Sequence, residues 1–204
     1  MKPFIKICGM TSVGDARWAC ELGADAVGLI VYPKSPRYVT FERAAEIAGA
    51  LPAGVLKVAV SVNLSEEDRE ALERVWTPDV WQLHGQESPE RVGALRPRRC
   101  WKALGLPWVG PDPGLYEVEA VLLDKASPAH GGTGETFDWN WARELKSILN
   151  KPMLLSGGLN PGNVVAALDA VQPWGVDVCS GVEASHGKKD PVKLKEFIEL
   201  CQKY

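Results

Sequence analysis

The sequence predicts an α/β protein built as a closed barrel of eight parallel strands, a (β/α)8 or TIM barrel, in a single domain over residues 1–204. Strand-like and helix-like segments alternate along the whole chain, as they do in α/β folds. Most strand segments are continuous apolar runs, which is typical of parallel strands buried on both faces. Eight such strand–helix units follow one another, and eight is the number that closes this barrel.

The eight strand segments are separated by stretches with the pattern of amphipathic helices or turns. They are predicted at Phe4–Cys8, Asp25–Val31, Val55–Val62, Asp79–His84, Arg99–Leu104, Ala120–Asp124, Pro152–Ser156 and Val176–Cys179. The fifth unit is the weakest, because the stretch from Gly105 to Gly114 is rich in proline and glycine and has room for at most a short helix. A doubly wound open sheet is the alternative fold.

Several helices have recognisable ends. N-cap side chains are expected at Ser65, Ser88, Asn160 and Asp190, the last three of which precede a proline. Gly23 suits the C-terminal cap of the first helix. Two later helices repeat apolar residues at i, i+3, i+4 and i+7, which predicts a buried face for each. These faces consist of Val164, Ala167, Leu168 and Val171, and of Leu194, Phe197, Ile198 and Cys201.

Composition restricts the possible functions. The chain has 23 Lys and Arg against 26 Asp and Glu, and its basic residues form no cluster, so we expect no nucleic-acid partner. No apolar run approaches the roughly 20 residues that span a bilayer, and the N-terminus lacks a signal-peptide pattern, so we expect a cytoplasmic protein without membrane contact. The five cysteines are odd in number and widely spaced, which favours reduced thiols and no metal site.

Cys8 ends the first strand and is followed by Gly9. Side chains at the C-terminal ends of barrel strands line the active site, so this thiol is a candidate for function. Strand alternation points Lys6 and Cys8 into the barrel, whereas Ile5 and Ile7 meet the helices. Core packing is the alternative role, since free cysteines are among the most buried residues. We expect that role for the two cysteines on apolar helix faces, Cys20 and Cys201.

A lysine that points into a barrel needs a partner, because a buried unpaired ammonium is costly. Strand 8 neighbours strand 1 in a closed barrel, and on strand 8 Asp177 shares a face with Cys179. We therefore expect Asp177 to be the carboxylate nearest Lys6. The alternative is that Lys6 extends to the lower rim of the barrel and keeps its charge in water.

Three more polar residues stand at the same rim. Asp124 ends the sixth strand, and His84 ends the fourth. Arg37 lies in the proline-stiffened loop after the second strand, and arginine suits bidentate recognition of a carboxylate or a phosphate. The alternatives are that Asp124 caps a helix or a loop, that His84 has a structural role, and that Arg37 is a solvated surface charge. We interpret Lys34, in the same loop as Arg37, as such a surface charge. The glycine-rich stretch at 131–134 suits a loop that closes over a substrate.

Glycines follow the seventh and eighth strands in Ser156-Gly157-Gly158 and in Ser180-Gly181. The loops after these two strands often form a phosphate site in (β/α)8 barrels. Glycine allows close approach of the backbone, whose N–H groups bind an anion without a basic side chain. Two ordinary tight turns are the alternative.

Taken together, these segments resemble the phosphoribosylanthranilate isomerase family of tryptophan biosynthesis. The matching stretches are Lys6–Thr11, Ser35–Arg37, Gln82–Gly85, Asp124 with 131–134, Ser156–Pro161, Val176–Glu183 and Gly187–Asp190. They span nearly the whole chain in the order of the family. One departure is Cys179, where the family more often has a serine.

The resemblance implies a cofactor-free Amadori rearrangement of a phosphosugar by a monomer or a homodimer. Asp124 resembles the acid that opens the sugar ring, and Cys8 resembles the base that takes a proton from C2, with Lys6 favouring its thiolate. Arg37 resembles the residue that grips the anthranilate carboxylate. The resemblance also implies that the substrate phosphate is bound by the backbone of Gly157, Gly158, Ser180 and Gly181. It further implies that Asp177 and His84 contact the sugar or order the site around it.

Three other functions compete with this one. Isomerases of histidine biosynthesis resemble the chain in their phosphate loops but have an aspartate on strand 1 where this chain has Cys8. Indoleglycerol-phosphate synthase needs a lysine acid and a glutamate pair that have no clear counterpart here. A non-catalytic barrel that binds a phosphate or a flavin phosphate does not explain why Cys8 and Asp124 occur together.

Overall fold

The computed structural model of the chain describes residues 2–125 and 138–204. Eight parallel strands in these residues form a closed barrel in the order β1 to β8, and β1 pairs with both β2 and β8. The predicted (β/α)8 barrel is therefore confirmed, and the open sheet is excluded. None of the helices in the described residues is long and apolar enough to cross a membrane.

All eight barrel strands coincide with predicted segments. They are β1 (Phe4–Ile7), β2 (Ala26–Ile30), β3 (Leu56–Ser61), β4 (Val80–Leu83), β5 (Cys100–Leu106), β6 (Ala120–Lys125), β7 (Met153–Leu155) and β8 (Gly175–Val178). A small antiparallel hairpin follows β8, consisting of β9 (Glu183–Ser185) and β10 (Lys188–Lys189). This hairpin was not predicted from the sequence.

Seven α-helices surround the barrel in the described residues. They are α1 (Val13–Leu22), α2 (Phe41–Gly49), α3 (Glu66–Val75), α4 (Pro89–Gly93), α5 (Trp139–Ile148), α6 (Val164–Val171) and α7 (Pro191–Lys203). Between β5 and β6 the chain forms only a 3-10 turn at Pro113–Leu115. This confirms that the fifth unit has no more than a short helix.

Four of the five predicted helix ends are confirmed. Ser65, Ser88 and Asp190 accept N–H bonds from the first turns of α3, α4 and α7. Gly23 ends α1 with a φ of 101°, which glycine adopts without strain. Asn160 is not an N-cap: its Oδ1 accepts the Gly162 N–H at 2.8 Å, and α6 begins only at Val164. The side chain closes a local turn, which competes with helix capping.

The barrel wall separates two apolar layers. The outer layer packs the strands against the helices and includes Ile5 and Ile7 as well as the predicted buried faces of α6 and α7. The inner layer fills the barrel and includes Cys8, which confirms the predicted alternation of β1. Cys201 is buried as expected, whereas Cys20 is only partly buried.

Three aromatic rings close the barrel at the N-terminal ends of the strands. The Phe4 and Trp174 rings stack with their centroids 4.4 Å apart, and Trp101 meets both rings edge-on. We call these three rings the aromatic floor. It lies at the end of the barrel opposite to the predicted site, with Trp101 buried and Trp174 partly open to solvent.

We expect Phe197→Ala to lower the free energy of unfolding by about 3–5 kcal/mol, because the ring is fully buried between α7 and the barrel and its loss leaves a cavity. Urea denaturation followed by circular dichroism measures this change. Val192→Ala, in the same helix at a side chain that is 73% exposed, is the matched control and should change stability little. A loss below about 1 kcal/mol for Phe197→Ala would contradict the described packing of α7.

Candidate active site

A buried ion pair joins β1 to β8. Lys6 and Asp177 are paired in the strand register, and the Lys6 Nζ lies 2.7 Å from Asp177 Oδ1. Both side chains are almost fully buried inside the barrel. The predicted contact is confirmed, and Lys6 does not extend to the lower rim.

The pKa values of Lys6 and Asp177 depend on other ionisable side chains nearby as well as on each other. Burial raises the pKa of Asp177 to about 6, although Lys6 acts against the shift. The charges of Cys8 and Asp124 also raise this pKa. Burial disfavours the charge of Lys6, but Asp177 and Cys8 outweigh it and raise the pKa of Lys6 above its usual range. Asp177 therefore stands within electrostatic range of both predicted catalytic residues.

The Cys8 sulfur lies in an environment that favours its thiolate. A hydrogen bond from the Cys179 thiol lowers the pKa of Cys8, and this outweighs the effect of burial. The nearby charges of Lys6 and Lys189 lower the pKa of Cys8 further. Gly28 on β2 provides the space, since a Cβ there would lie 2.7 Å from the Cys8 Sγ.

Cys179 is the neighbour of Cys8 on the adjacent strand. The Cys8 N–H donates to the Val178 carbonyl at 2.8 Å, which continues the pairing of β1 with β8 by one residue. The Cys179 thiol donates toward Cys8, which raises the pKa of Cys179 well above its usual range. One of the two sulfurs thus carries the proton and the other is favoured as the anion.

Lys189 on the hairpin ties these strand ends together. Its Nζ donates to the carbonyls of Cys8 at 2.6 Å and Cys179 at 3.1 Å, and contacts Glu183 Oε1 at 3.2 Å. The side chain is 3% exposed, whereas Lys188 beside it is exposed. Lys189 and Glu183 were not predicted as site residues, because the hairpin strands of three and two residues are too short to show an alternation of faces in the sequence.

Arg37 is buried and paired with a carboxylate of the protein itself. Its Nε lies 2.8 Å and 3.0 Å from the two Glu183 oxygens, and its Nη2 lies 2.7 Å from Oε2. Burial would raise the pKa of Glu183, but Arg37 and Lys189 together hold it below its usual range. Arg37 is therefore not the solvated charge of the alternative interpretation, whereas Lys34 is exposed as expected. The planar guanidinium still has its Nη1 side to offer to an anion.

Asp124 and His84 meet at the same mouth. The His84 Nε2 lies 3.3 Å from Asp124 Oδ2, and Asp124 Oδ1 accepts the Lys125 N–H at 2.8 Å. On its other side the His84 Nδ1 lies 3.2 Å from the Gln82 Nε2, which the sequence analysis did not single out. This chain of contacts orients the histidine ring toward Asp124. The predicted glycine-rich loop at 131–134 lies outside the described residues.

The two predicted phosphate loops touch each other. Gly157 and Gly158 after β7 have positive φ angles of 81° and 68°. Gly181, in the 3-10 turn after β8, has no room for a side chain: a Cβ there would lie 1.8 Å from the Leu159 carbonyl oxygen. The positions of Gly157 and Gly158 therefore favour glycine through their backbone conformation and that of Gly181 through lack of space, and the close approach of Gly181 to Leu159 joins the two loops.

The mouth of the barrel thus combines a thiol that is favoured as its anion, a carboxyl group beside a histidine, a buried arginine and two joined glycine loops. A thiolate accepts a proton and a carboxyl group donates one, while the arginine and the glycine loops suit anionic groups. Fold and site together are those of a (β/α)8-barrel enzyme whose mouth suits acid–base chemistry on an anionic substrate.

Comparison with known proteins gives the family. The family model described as N-(5'phosphoribosyl)anthranilate (PRA) isomerase matches residues 5–200. A protein of this name from Citrifermentans bemidjiense is 44% identical over 98% of this chain and 97% of its own length. A second, from Geotalea uraniireducens, is 44% identical over 97% of this chain and 98% of its own.

Solved structures agree. Phosphoribosyl anthranilate isomerase from Thermus thermophilus is 34% identical with a TM-score of 0.86, covering 96% of each chain. The enzyme from Thermotoga maritima is 36% identical with a TM-score of 0.87, covering 99% of this chain and all of its own. The chain belongs to the N-(5'phosphoribosyl)anthranilate isomerase family. Its activity is that of a phosphoribosylanthranilate isomerase in tryptophan biosynthesis, and not that of a non-catalytic barrel.

We expect Lys6→Met to lower the free energy of unfolding by about 3–5 kcal/mol near pH 8, because it leaves Asp177 buried without its partner. The pKa of Asp177, already raised to about 6, rises further without the Lys6 charge. A carboxyl group whose pKa is higher in the folded state contributes stability at low pH and loses it as pH rises through the folded value. The loss should therefore be smaller near pH 5. Chemical denaturation at both pH values measures it.

The matched control is Lys2→Met, which removes a lysine from an exposed pair whose Nζ–Oδ1 distance is 3.3 Å. Because exposed pairs contribute little, its effect should be small at both pH values. A pH-independent loss for Lys6→Met would show that Asp177 does not become the unpaired charge.

Proposed function

We propose that Cys8 and Asp124 are the base and the acid of an Amadori rearrangement. The substrate is N-(5'-phosphoribosyl)anthranilate, and the product is 1-(2-carboxyphenylamino)-1-deoxyribulose 5-phosphate. Asp124 donates a proton to the ring oxygen, the furanose opens, and a Schiff base forms at C1. Cys8 then removes the proton from C2, which the Schiff base has made acidic, and the enamine rearranges to the ketone.

One observation supports this proposal: Cys8 belongs to the inner layer of the barrel after β1, and Asp124 on β6 is buried beside His84, with Asp177 on β8 within electrostatic range of both. The two groups therefore face one reaction space from different strands. The thiolate of Cys8 is already favoured before substrate binds, by the Cys179 thiol and two lysines. The proposed base thus needs no separate group to take its proton.

His84 and Asp177 act around the sugar in this proposal. The His84 Nε2, 3.3 Å from Asp124 Oδ2, orients the carboxyl group that must hold a proton for the ring oxygen. Asp177, which is held by Lys6 at 2.7 Å, is assigned to the sugar hydroxyl groups. A side chain fixed by a buried ion pair is pre-organised for such a contact.

We assign the two anionic ends of the substrate to opposite parts of the mouth. The phosphate binds to the backbone of the joined loops at Gly157, Gly158, Ser180 and Gly181, and the carboxylate binds to Arg37. A relative that is 36% identical was crystallised with reduced 1-(o-carboxyphenylamino)-1-deoxyribulose 5-phosphate. That molecule carries a carboxylate at one end and a phosphate at the other, which supports two separate anion subsites.

Further properties remain proposals of the same kind. We propose that residues 1–204 form a single domain that works in the cytoplasm without a cofactor. Acid and base catalysis needs no redox group for this rearrangement, because protons move without net oxidation. A monomer or a homodimer is consistent with the family, in which the enzyme from Thermotoga maritima is described as dimeric.

The activity is tested with freshly prepared phosphoribosylanthranilate. We expect the purified protein alone to change the fluorescence of the anthranilate group, and mass spectrometry with NMR to identify the aminoketose. The test is independent of any residue assignment. Unchanged substrate after incubation with folded protein would refute the activity.

We expect Cys8→Ala and Asp124→Asn each to lower kcat by about 10²–10⁴-fold, the usual contribution of a general base or acid. Steady-state kinetics measure this loss, and circular dichroism confirms that each variant is folded. Cys20→Ala is the matched control, since this partly buried cysteine lies on α1 away from the mouth. Near-normal turnover of either site variant would remove its assignment.

Arg37→Lys tests the carboxylate subsite while retaining a charge opposite Glu183. We expect the KM to rise roughly 10-fold or more with a smaller change in kcat, because lysine lacks the planar fork and a hydrogen bond to a charged group contributes about 1.5–3 kcal/mol. Lys34→Met, in the same loop at an exposed position, should leave the KM unchanged. An unchanged KM for Arg37→Lys would mean that the carboxylate is bound elsewhere.

A further inference from the structure

Cys8 and Cys179 form a dithiol at the mouth of the barrel. They follow the paired residues Ile7 and Val178 on adjacent parallel strands, and the Cys8 N–H bonds to the Val178 carbonyl at 2.8 Å. Neighbouring strands lie about 4.7–4.9 Å apart, which falls within the roughly 4.4–6.8 Å between the Cα atoms of a disulfide. The backbone therefore brings the two cysteines to a spacing that a disulfide can bridge.

The side chains converge as well. Each of the two thiols influences the pKa of the other, and the Cys179 Sγ also lies 3.9 Å from Glu183 Oε1. The Cys179 Sγ lies directly over the backbone that follows Cys8, since a Cβ on Gly9 would be 2.7 Å from it. The Lys189 Nζ binds the carbonyl oxygens of both cysteines and thereby holds the two strand ends together. A base acting alone does not require a second thiol on the adjacent strand end, although Cys179 also helps to favour the Cys8 thiolate.

We propose that Cys8 and Cys179 form an oxidation site, in which a hydroperoxide oxidises Cys8 and Cys179 then closes a reversible disulfide with it. Reactive cysteines of this kind combine a stabilised thiolate with a second thiol that resolves the first product. Both occur together at the ends of β1 and β8, where Cys8 is 5% exposed and Cys179 is partly exposed. The two lysines near Cys8 add the positive charge that favours attack by its sulfur.

The chemistry balances in two steps. The Cys8 thiolate attacks one oxygen of the hydroperoxide, so that an S–O bond forms while the O–O bond breaks, and the departing alkoxide or hydroxide takes a proton from water. The Cys179 sulfur then attacks the sulfur of the sulfenic acid. An S–S bond forms, the S–O bond breaks, and the hydroxide leaves as water with the Cys179 proton. The two thiols lose two electrons in total, and the hydroperoxide gains them.

The other thiols of the chain lack these features. Cys100 and Cys201 are buried, and burial raises the pKa of Cys100 to about 11 and that of Cys201 to about 12. Burial also raises the pKa of Cys20. All three are therefore expected to remain protonated and slow to oxidise under conditions that modify Cys8.

The test treats the whole protein with hydrogen peroxide, alkylates the remaining thiols under denaturing conditions, and maps the peptides by mass spectrometry. We expect a crosslinked peptide pair joining Cys8 to Cys179, with the mass lowered by two hydrogen atoms. Enzymatic activity should fall in step with the crosslink and return after dithiothreitol. The mass readout does not depend on the catalytic role of Cys8.

Cys179→Ser separates the resolving step from the first oxidation. In this variant we expect peroxide to oxidise Cys8 as far as the sulfinic acid. Dithiothreitol should then no longer restore the activity that the variant had before treatment. Cys20→Ser should form the Cys8–Cys179 crosslink as the unchanged protein does. Oxidation of the unchanged protein that leaves Cys179 free, or no oxidation of Cys8 at all, would overturn the proposal even if the Cys179 variant does not fold.

Discussion

The pairing of β1 with β8, which closes the barrel, is the contact on which the site depends. It brings Lys6 to Asp177 and Cys8 next to Cys179, although these residues stand at opposite ends of the sequence. Lys189 then reinforces the same seam from the hairpin. Without closure, the first strand would be an edge strand. Its inward lysine and thiol would then face solvent instead of Asp177 and Cys179.

Charge balance explains how so many ionisable groups share one mouth. Each buried cation of the site has a carboxylate within contact distance: Lys6 has Asp177, and Arg37 and Lys189 share Glu183. Because a charge without a partner inside a protein is costly, such pairs constrain one another's positions. The charges of Lys6 and Lys189 also lower the pKa of Cys8, so its thiolate is stabilised without a carboxylate-type ion pair of its own.

Strand periodicity was enough to predict the fold, the inward faces of β1 and β8 and the Lys6–Asp177 contact. These follow from local alternation and from one rule of barrel closure. The hairpin after β8 did not follow, because two strands of three and two residues are too short to show a periodicity. Glu183 as the partner of Arg37 was missed for the same reason. Asn160 was misassigned because an asparagine before proline suits both a helix cap and a local turn, and only the tertiary structure decides between them.

The aromatic floor lies at the end of the barrel that does not carry the reactive groups. Trp101 and Trp174 lie at the N-terminal ends of the strands, across the inner apolar layer from the mouth where the reaction takes place. A substitution at the mouth therefore changes side chains that do not belong to this floor. The stacked rings hold the lower end of the barrel together while the reactive groups at the other end vary.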